Sequence, residues 1–203
     1  MISGPEFSLE AVLSMPEAAS GMGVVCHPHP MYGGSMNNNV VFALCQGLND
    51  AGFGALRFNF RGVGRSEGRY GEGRGEVEDV YAALKAVGEQ LPGKPLILAG
   101  YSFGASVALA ALADDREAKP LAGIVVSPPT IAELRYGGLD VGIPLLVLAG
   151  GADSFSDAEE LRAEAADLAD VNVLVSERTD HFWSGLEDWI AGRAESFIKG
   201  LSG

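Results

Sequence analysis

Two stretches of the chain read Gly-x-Ser-x-Gly, namely Gly64-Arg65-Ser66-Glu67-Gly68 and Gly100-Tyr101-Ser102-Phe103-Gly104. With 28 glycines in the sequence the bare pattern is weak, and the flanking residues decide. Ser102 follows the apolar run Leu96-Ile97-Leu98-Ala99 and precedes the apolar stretch Ala105 to Leu112, which sets it on a strand-to-helix turn. A serine on such a turn projects its hydroxyl above a sheet. The helix behind it offers free N–H groups and a positive dipole end to an anion. Ser66 lies in a polar, arginine-rich loop with no helix directly after it and reads as a turn serine.

A hydroxyl becomes a useful nucleophile only when a base removes its proton, and there are three histidines to choose from. His181, in Thr179-Asp180-His181-Phe182-Trp183, follows the last apolar run, and the order serine, acid, histidine along the chain selects it. Imidazole needs a carboxylate to fix its tautomer and stabilise its cation. Asp153, at the end of the run Pro144 to Ala149, arrives between the other two; Asp157 is the second choice and fits better as a helix N-cap. Asp180 is adjacent to His181 and badly placed to face the same ring. The developing oxyanion needs two N–H donors. One is Phe103, directly after the serine. The other comes from Cys26-His27-Pro28-His29-Pro30-Met31-Tyr32-Gly33, where the prolines lack an N–H; position favours His29 or Met31 over Tyr32 and Gly33. Tyr32, Tyr101 and Phe182 are the aromatic neighbours expected to bind substrate. His27 and His29 also form an H-x-H pair, but a metal would need further ligands and only one more histidine exists. No cofactor or metal is expected. Cys26 beside His27 has no feature that would depress a thiol pKa.

The elements that must carry these residues follow from hydropathy. Short apolar runs recur at Gly23 to Cys26, Ala55 to Phe60, Leu96 to Ala99, Ala122 to Val126, Pro144 to Ala149 and Val171 to Val175, with a thinner signal at Ser8 to Leu13 for a leading edge strand. Several lack polar alternation, as strands covered on both faces do. Between them Val40, Leu44 and Leu48 share a helical face, as do Val77, Val80, Tyr81 and Leu84, then Ala158, Leu161, Ala165 and Leu168, and finally Leu186, Trp189, Ile190, Arg193 and Phe197. Alternating strand and helix predicts a doubly wound α/β fold in three layers, mainly parallel, with ligands bound beyond the carboxyl ends of the strands. Too few residues separate Val126 from Pro144 for a cap domain, so the pocket should be open.

At 203 residues and 47% hydrophobic, the chain is expected to form one domain over 1–203 with a sizeable core. Its 27 acidic against 14 basic residues, a net charge of −13, argue against nucleic acid and anionic membrane as partners. Two cysteines exclude a disulfide scaffold, and no leader-like or membrane-length apolar stretch stands out; the expectation is a cytoplasmic monomer or homodimer. Arg57, Arg61, Arg65, Arg69 and Arg74 concentrate positive charge in one stretch. They either attract a carboxylated substrate or pair with Glu67, Glu72, Glu76 and Glu78.

Taken together, the loop His27 to Asn38, the segment Leu56 to Ser66, the Gly100 to Gly104 turn and Asp180-His181-Phe182 resemble the α/β-hydrolase superfamily, and more narrowly its small, cap-poor serine hydrolases near the dienelactone-hydrolase-like group. The chain departs from dienelactone hydrolases proper in having Ser102 where they carry cysteine, so their substrate does not transfer. The resemblance implies a Ser102, Asp153, His181 triad hydrolysing a small-molecule carboxylic ester through an acyl-enzyme. The alternative is a catalytically silent binding or interaction protein on the same scaffold.

Overall fold

Apolar runs with no polar alternation can only be stable where both faces of a strand are covered, and they fill the middle of the sheet. The computed structural model describes residues 1–3, 8–114 and 119–201. β1 (Ile2–Ser3) and β2 (Ser8–Leu9) make a small antiparallel ladder. The main sheet comprises β3 (Ala11–Ser14), β4 (Gly21–Cys26), β5 (Phe53–Phe58), β6 (Leu96–Tyr101), β7 (Ala122–Val126), β8 (Leu145–Gly150) and β9 (Val171–Ser176), in the order β3-β5-β4-β6-β7-β8-β9. Only β3 runs antiparallel, against β5; every other pairing is parallel. Parallel neighbours need crossovers, which α1 (Asn39–Asp50), α2 (Arg74–Gln90), α3 (Phe103–Ala113), α4 (Ala158–Ala165) and α5 (Glu187–Gly200) supply or extend.

Alternate strand residues feed two cores. Val24, Phe58, Leu98 and Val125 face α2 and α3, with Ala158 and Leu161 of α4, whereas Val25, Ile97, Ile124 and Leu148 face α1 and α5. The architecture is the three-layer α/β arrangement expected, and the link from β7 to β8 holds only a 3-10 turn at Ala132–Leu134 rather than a cap. Two boundaries differ from the sequence reading. The leading segment is divided, with Leu9 and Ala11 in different ladders. β5 stops at Phe58 because the next two N–H groups leave the sheet, that of Asn59 donating to the Glu10 carbonyl at 2.8 Å and that of Phe60 to His27 Nε2 at 3.0 Å.

The second contact settles the role of His27. Its ring is buried, Nε2 accepts from Phe60, and Nδ1 sits 2.6 Å from the Pro28 carbonyl, so the neutral Nδ1–H form satisfies both nitrogens. The ring is a staple between the loops after β4 and β5, with neither nitrogen left for a metal. Ser66, in the second Gly-x-Ser-x-Gly, is a staple of the same kind: its buried hydroxyl donates to the Asn59 carbonyl at 2.6 Å and accepts from the Glu10 N–H at 2.9 Å.

Burial lowers the His27 pKa to about 4, against an ordinary 6.5. Between these values the unfolded chain binds the proton and the folded chain does not, so folding stability rises with pH across that window and is lost as pH falls through it. The loss should reach about 3 kcal/mol at pH 4 from this group. Urea denaturation from pH 7 to pH 4 should show that slope in the parent chain. It should be reduced in His27→Gln, whose amide can accept from Phe60 but takes up no proton.

Candidate active site

The turn from β6 into α3 is tight enough that glycine is required on both sides of Ser102. A Cβ on Gly100 would stand 2.3 Å from the Gly104 carbonyl oxygen, and one on Gly104 would stand 2.5 Å from the carbonyls of both Cys26 and His27. Ser102 itself adopts φ 55° and ψ −122°, a conformation that non-glycine residues occupy at a cost of about 1–3 kcal/mol. Its N–H is anchored to the Val126 carbonyl at 2.9 Å, and its hydroxyl turns out over the strand ends.

There Ser102 Oγ lies 2.8 Å from His181 Nε2. On the other side of the ring His181 Nδ1 lies 2.8 Å from Asp153 Oδ2 and 3.0 Å from Oδ1. The structure thus brings together the three residues that the sequence nominates from β6, from the loop after β8 and from the loop after β9. Asp157 stays outside as the N-cap of α4, accepting from the N–H groups of Glu159 and Glu160, and Asp180 accepts from the Phe182 N–H. The Asp153 side chain is fully buried. Burial drives its pKa up, but hydrogen bonding from His181 and Ser127, the charge of His181 and the Phe155 N–H outweigh that, leaving the carboxyl below its ordinary 3.8.

Ser127 is a residue that sequence reasoning passed over. It follows β7, is fully buried at φ 45°, and its hydroxyl accepts from the indole N–H of the buried Trp183 at 2.9 Å. Trp183 stands two residues after His181 and also has a positive φ, 57°. The indole, the Ser127 hydroxyl and the carboxylate of Asp153 therefore form a supported rear wall for the imidazole. Two ordinary residues in left-handed backbone have no short-range sequence signature.

The loop after β4 separates the candidate oxyanion donors. The Met31 N–H donates to His29 Nδ1 at 3.1 Å and that of Tyr32 to the His29 carbonyl, which removes both from consideration and corrects the expectation for Met31. The Gly33 N–H is taken by the Pro30 carbonyl. The N–H groups of His29 and Phe103 have no acceptor among the described residues. His29 packs its ring against Tyr32, Tyr70 and Phe103 at centroid distances of 4.8, 5.2 and 4.7 Å, which fixes the loop over the start of α3.

Above Ser102 is a cavity of about 500 Å³, bounded by His29, Tyr32, Leu134, Phe155 and Phe182. Tyr32 and Phe182 are exposed on its rim. Tyr101 also lines the cavity although most of it is buried; its hydroxyl donates to the His181 carbonyl at 2.6 Å, so it holds the histidine loop from beneath. None of the five clustered arginines lines this cavity, so none is placed to contact a carboxylate held in it. Arg61 forms a bidentate pair with Asp79 and Arg65 pairs with Glu10, neither of them a partner expected from the sequence.

The chain matches the family model described as serine aminopeptidase, S33, over residues 24–139. It is 36% identical over 167 residues to an uncharacterised protein of Rickettsia prowazekii, covering 79% of this chain and 68% of that one. Among solved structures it resembles an α/β serine hydrolase homologue from Coxiella burnetii, with 35% identity, 96% and 94% of the two chains covered and a TM-score of 0.85. A serine hydrolase without a lid from Xanthomonas campestris gives 32% identity, 98% and 92% coverage and a TM-score of 0.87.

The support for Asp153 can be measured without any assumption about chemistry. In a carbon-detected NMR titration its carboxyl should titrate below 3.8. Ser127→Ala, which removes one stabilising hydroxyl, should move the transition upward. An unchanged transition in that variant would show that the hydroxyl does not support the carboxylate.

Proposed function

The chain belongs to the α/β serine hydrolases described by the serine aminopeptidase S33 family, and from that membership we propose that it hydrolyses small or accessible carboxylic esters through Ser102, His181 and Asp153. The observation that carries this reading is the continuous pair of contacts from Ser102 Oγ through the His181 ring to Asp153. Ser102 Oγ attacks the carbonyl carbon while His181 Nε2 takes the hydroxyl proton, and Asp153 holds the Nδ1–H tautomer and offsets the imidazolium charge. The oxyanion forms between the N–H groups of Phe103 and His29. Collapse breaks the bond to the alkoxide, which leaves with the proton from His181. Water then repeats the sequence on the acyl-enzyme and releases the carboxylic acid.

The cavity also bears on substrate class. No carboxylate lines it among the described residues, so a peptide's free α-ammonium would find no ion-pair partner there. Tyr32, Phe155 and Phe182 instead offer apolar surface to a neutral ester. This favours esterase over aminopeptidase chemistry.

Incubation with a serine-directed fluorophosphonate, followed by intact mass and peptide mapping, should place a single adduct on Ser102 and none on Ser102→Ala. Turnover of short-chain aryl esters should fall by about 10⁴-fold or more in Ser102→Ala and His181→Ala, and comparably in Asp153→Asn, where the amide leaves geometry intact but fixes the wrong tautomer. A protein that neither labels nor turns over any ester would be the silent scaffold instead.

A further inference from the structure

The cavity over Ser102 has a counterpart of nearly equal volume, about 490 Å³, on the α1 face of the sheet, and the two share no lining residue. It opens where α1 stops short of covering β3 and β5. Val12 and Ala55 floor it, Phe42 and Asn49 wall it from the helix, and Arg57 and Asp50 bring opposite charges to it. Arg57 stands directly across the strand pair from Val12, and its guanidinium carbon lies 4.7 Å from the centroid of the Phe42 ring. Its Nε is buried and has no acceptor. No carboxylate lies within ion-pair distance of it among the described residues, whereas Arg61 and Arg65, four and eight residues on, each have one.

The Arg57 guanidinium borders the cavity with no protein carboxylate beside it, and an external carboxylate would supply one. We propose that this cavity binds a small monocarboxylate with an apolar body, the carboxylate accepting from the Arg57 guanidinium and the body lying against Phe42, Val12 and Ala55. A planar guanidinium fork matches a carboxylate in two parallel hydrogen bonds. The volume falls in the range of small-molecule sites. Asp50 at the same cavity disfavours a dianion, and a single cation is too little for phosphate. The site is separate from the hydrolytic centre and does not depend on its assignment.

The test is an NMR titration of the full chain with benzoate, benzyl alcohol and inorganic phosphate, following the Arg57 Nε–Hε signal and the methyl groups of Val12 and Ala55. Benzoate should shift all three saturably, with benzyl alcohol and phosphate weaker by about tenfold or more. Arg57→Gln should weaken benzoate by a similar factor at the two methyl groups. Phe42→Leu, which leaves the charge in place, should weaken it less. An Arg57 Nε–Hε signal indifferent to benzoate, equal affinity for benzyl alcohol or phosphate, or unchanged benzoate binding in Arg57→Gln would each overturn the proposal. None of these readouts passes through ester turnover, so failure here and failure of the esterase reading are distinguishable.

Discussion

The backbone of Ser102 is the constraint on which the rest of the molecule turns. A residue with a side chain is held at φ 55° and ψ −122°, and it stays there only because the chain enters from a fully paired central strand and leaves into a helix buried almost all round. That helix can approach the sheet because Gly104 packs its backbone against the carbonyls of Cys26 and His27. The apolar composition of α3 is therefore part of the site. A helix with a polar face would seek solvent and pull the turn open, whereas Val107, Leu109 and Leu112 hold it in the core.

The other two members of the contact are delivered by the sheet order. β8 and β9 are adjacent and are separated from the elbow strand β6 by β7, so the loops after β8 and β9 emerge side by side on the same edge as the elbow and reach it across the end of β7, although Ser102 and His181 are 79 residues apart in sequence. Tyr101 then ties the histidine loop to the end of β6, and Trp183 ties it to the end of β7 through Ser127. Three strand ends are fastened to one imidazole from below, from behind and through its carboxylate. A ring held this way loses little further freedom when it accepts a proton, which is what preorganisation means in energetic terms.

What could be read from the sequence is what is encoded locally. The elbow is a five-residue pattern between a strand and a helix, and the inner strands are continuous apolar runs, so both were legible. The partners of Arg61 and Arg65 were not. Reading along the chain points to the neighbouring glutamates, and Glu76 and Glu78 do act on Arg61 through their charge, but the winding of α2 makes Asp79 its bidentate partner, and the ladder of β3 with β5 carries Glu10 to Arg65. The end of β5 was misplaced because Asn59 and Phe60 look like strand residues and stop being so only through contacts made by Glu10 and His27. Ser127 was invisible because its role is set by a tryptophan 56 residues away.

The pairing of the arginines has an electrostatic consequence. Arg61 and Arg65 are neutralised by Asp79 and Glu10, so two of the five clustered arginines add little to the positive field, and the chain's net charge of −13 dominates at a distance. On the esterase reading proposed above, a neutral ester would approach such a surface without penalty, while a carboxylate formed within the cavity would be repelled once it moved beyond the two N–H donors. The same field screens by salt, so its effect belongs to encounter and release rather than to bond breaking. On the same proposal, stabilisation of an oxyanion would have to come from donors within hydrogen-bonding range, and the proline-rich loop and the first turn of α3 hold the N–H groups of His29 and Phe103, which have no acceptor among the described residues. Long-range repulsion and short-range attraction thus act at different stages. If the proposed esterase chemistry holds, a strongly acidic protein can in this way form a transient negative charge in its pocket and still shed an anionic product.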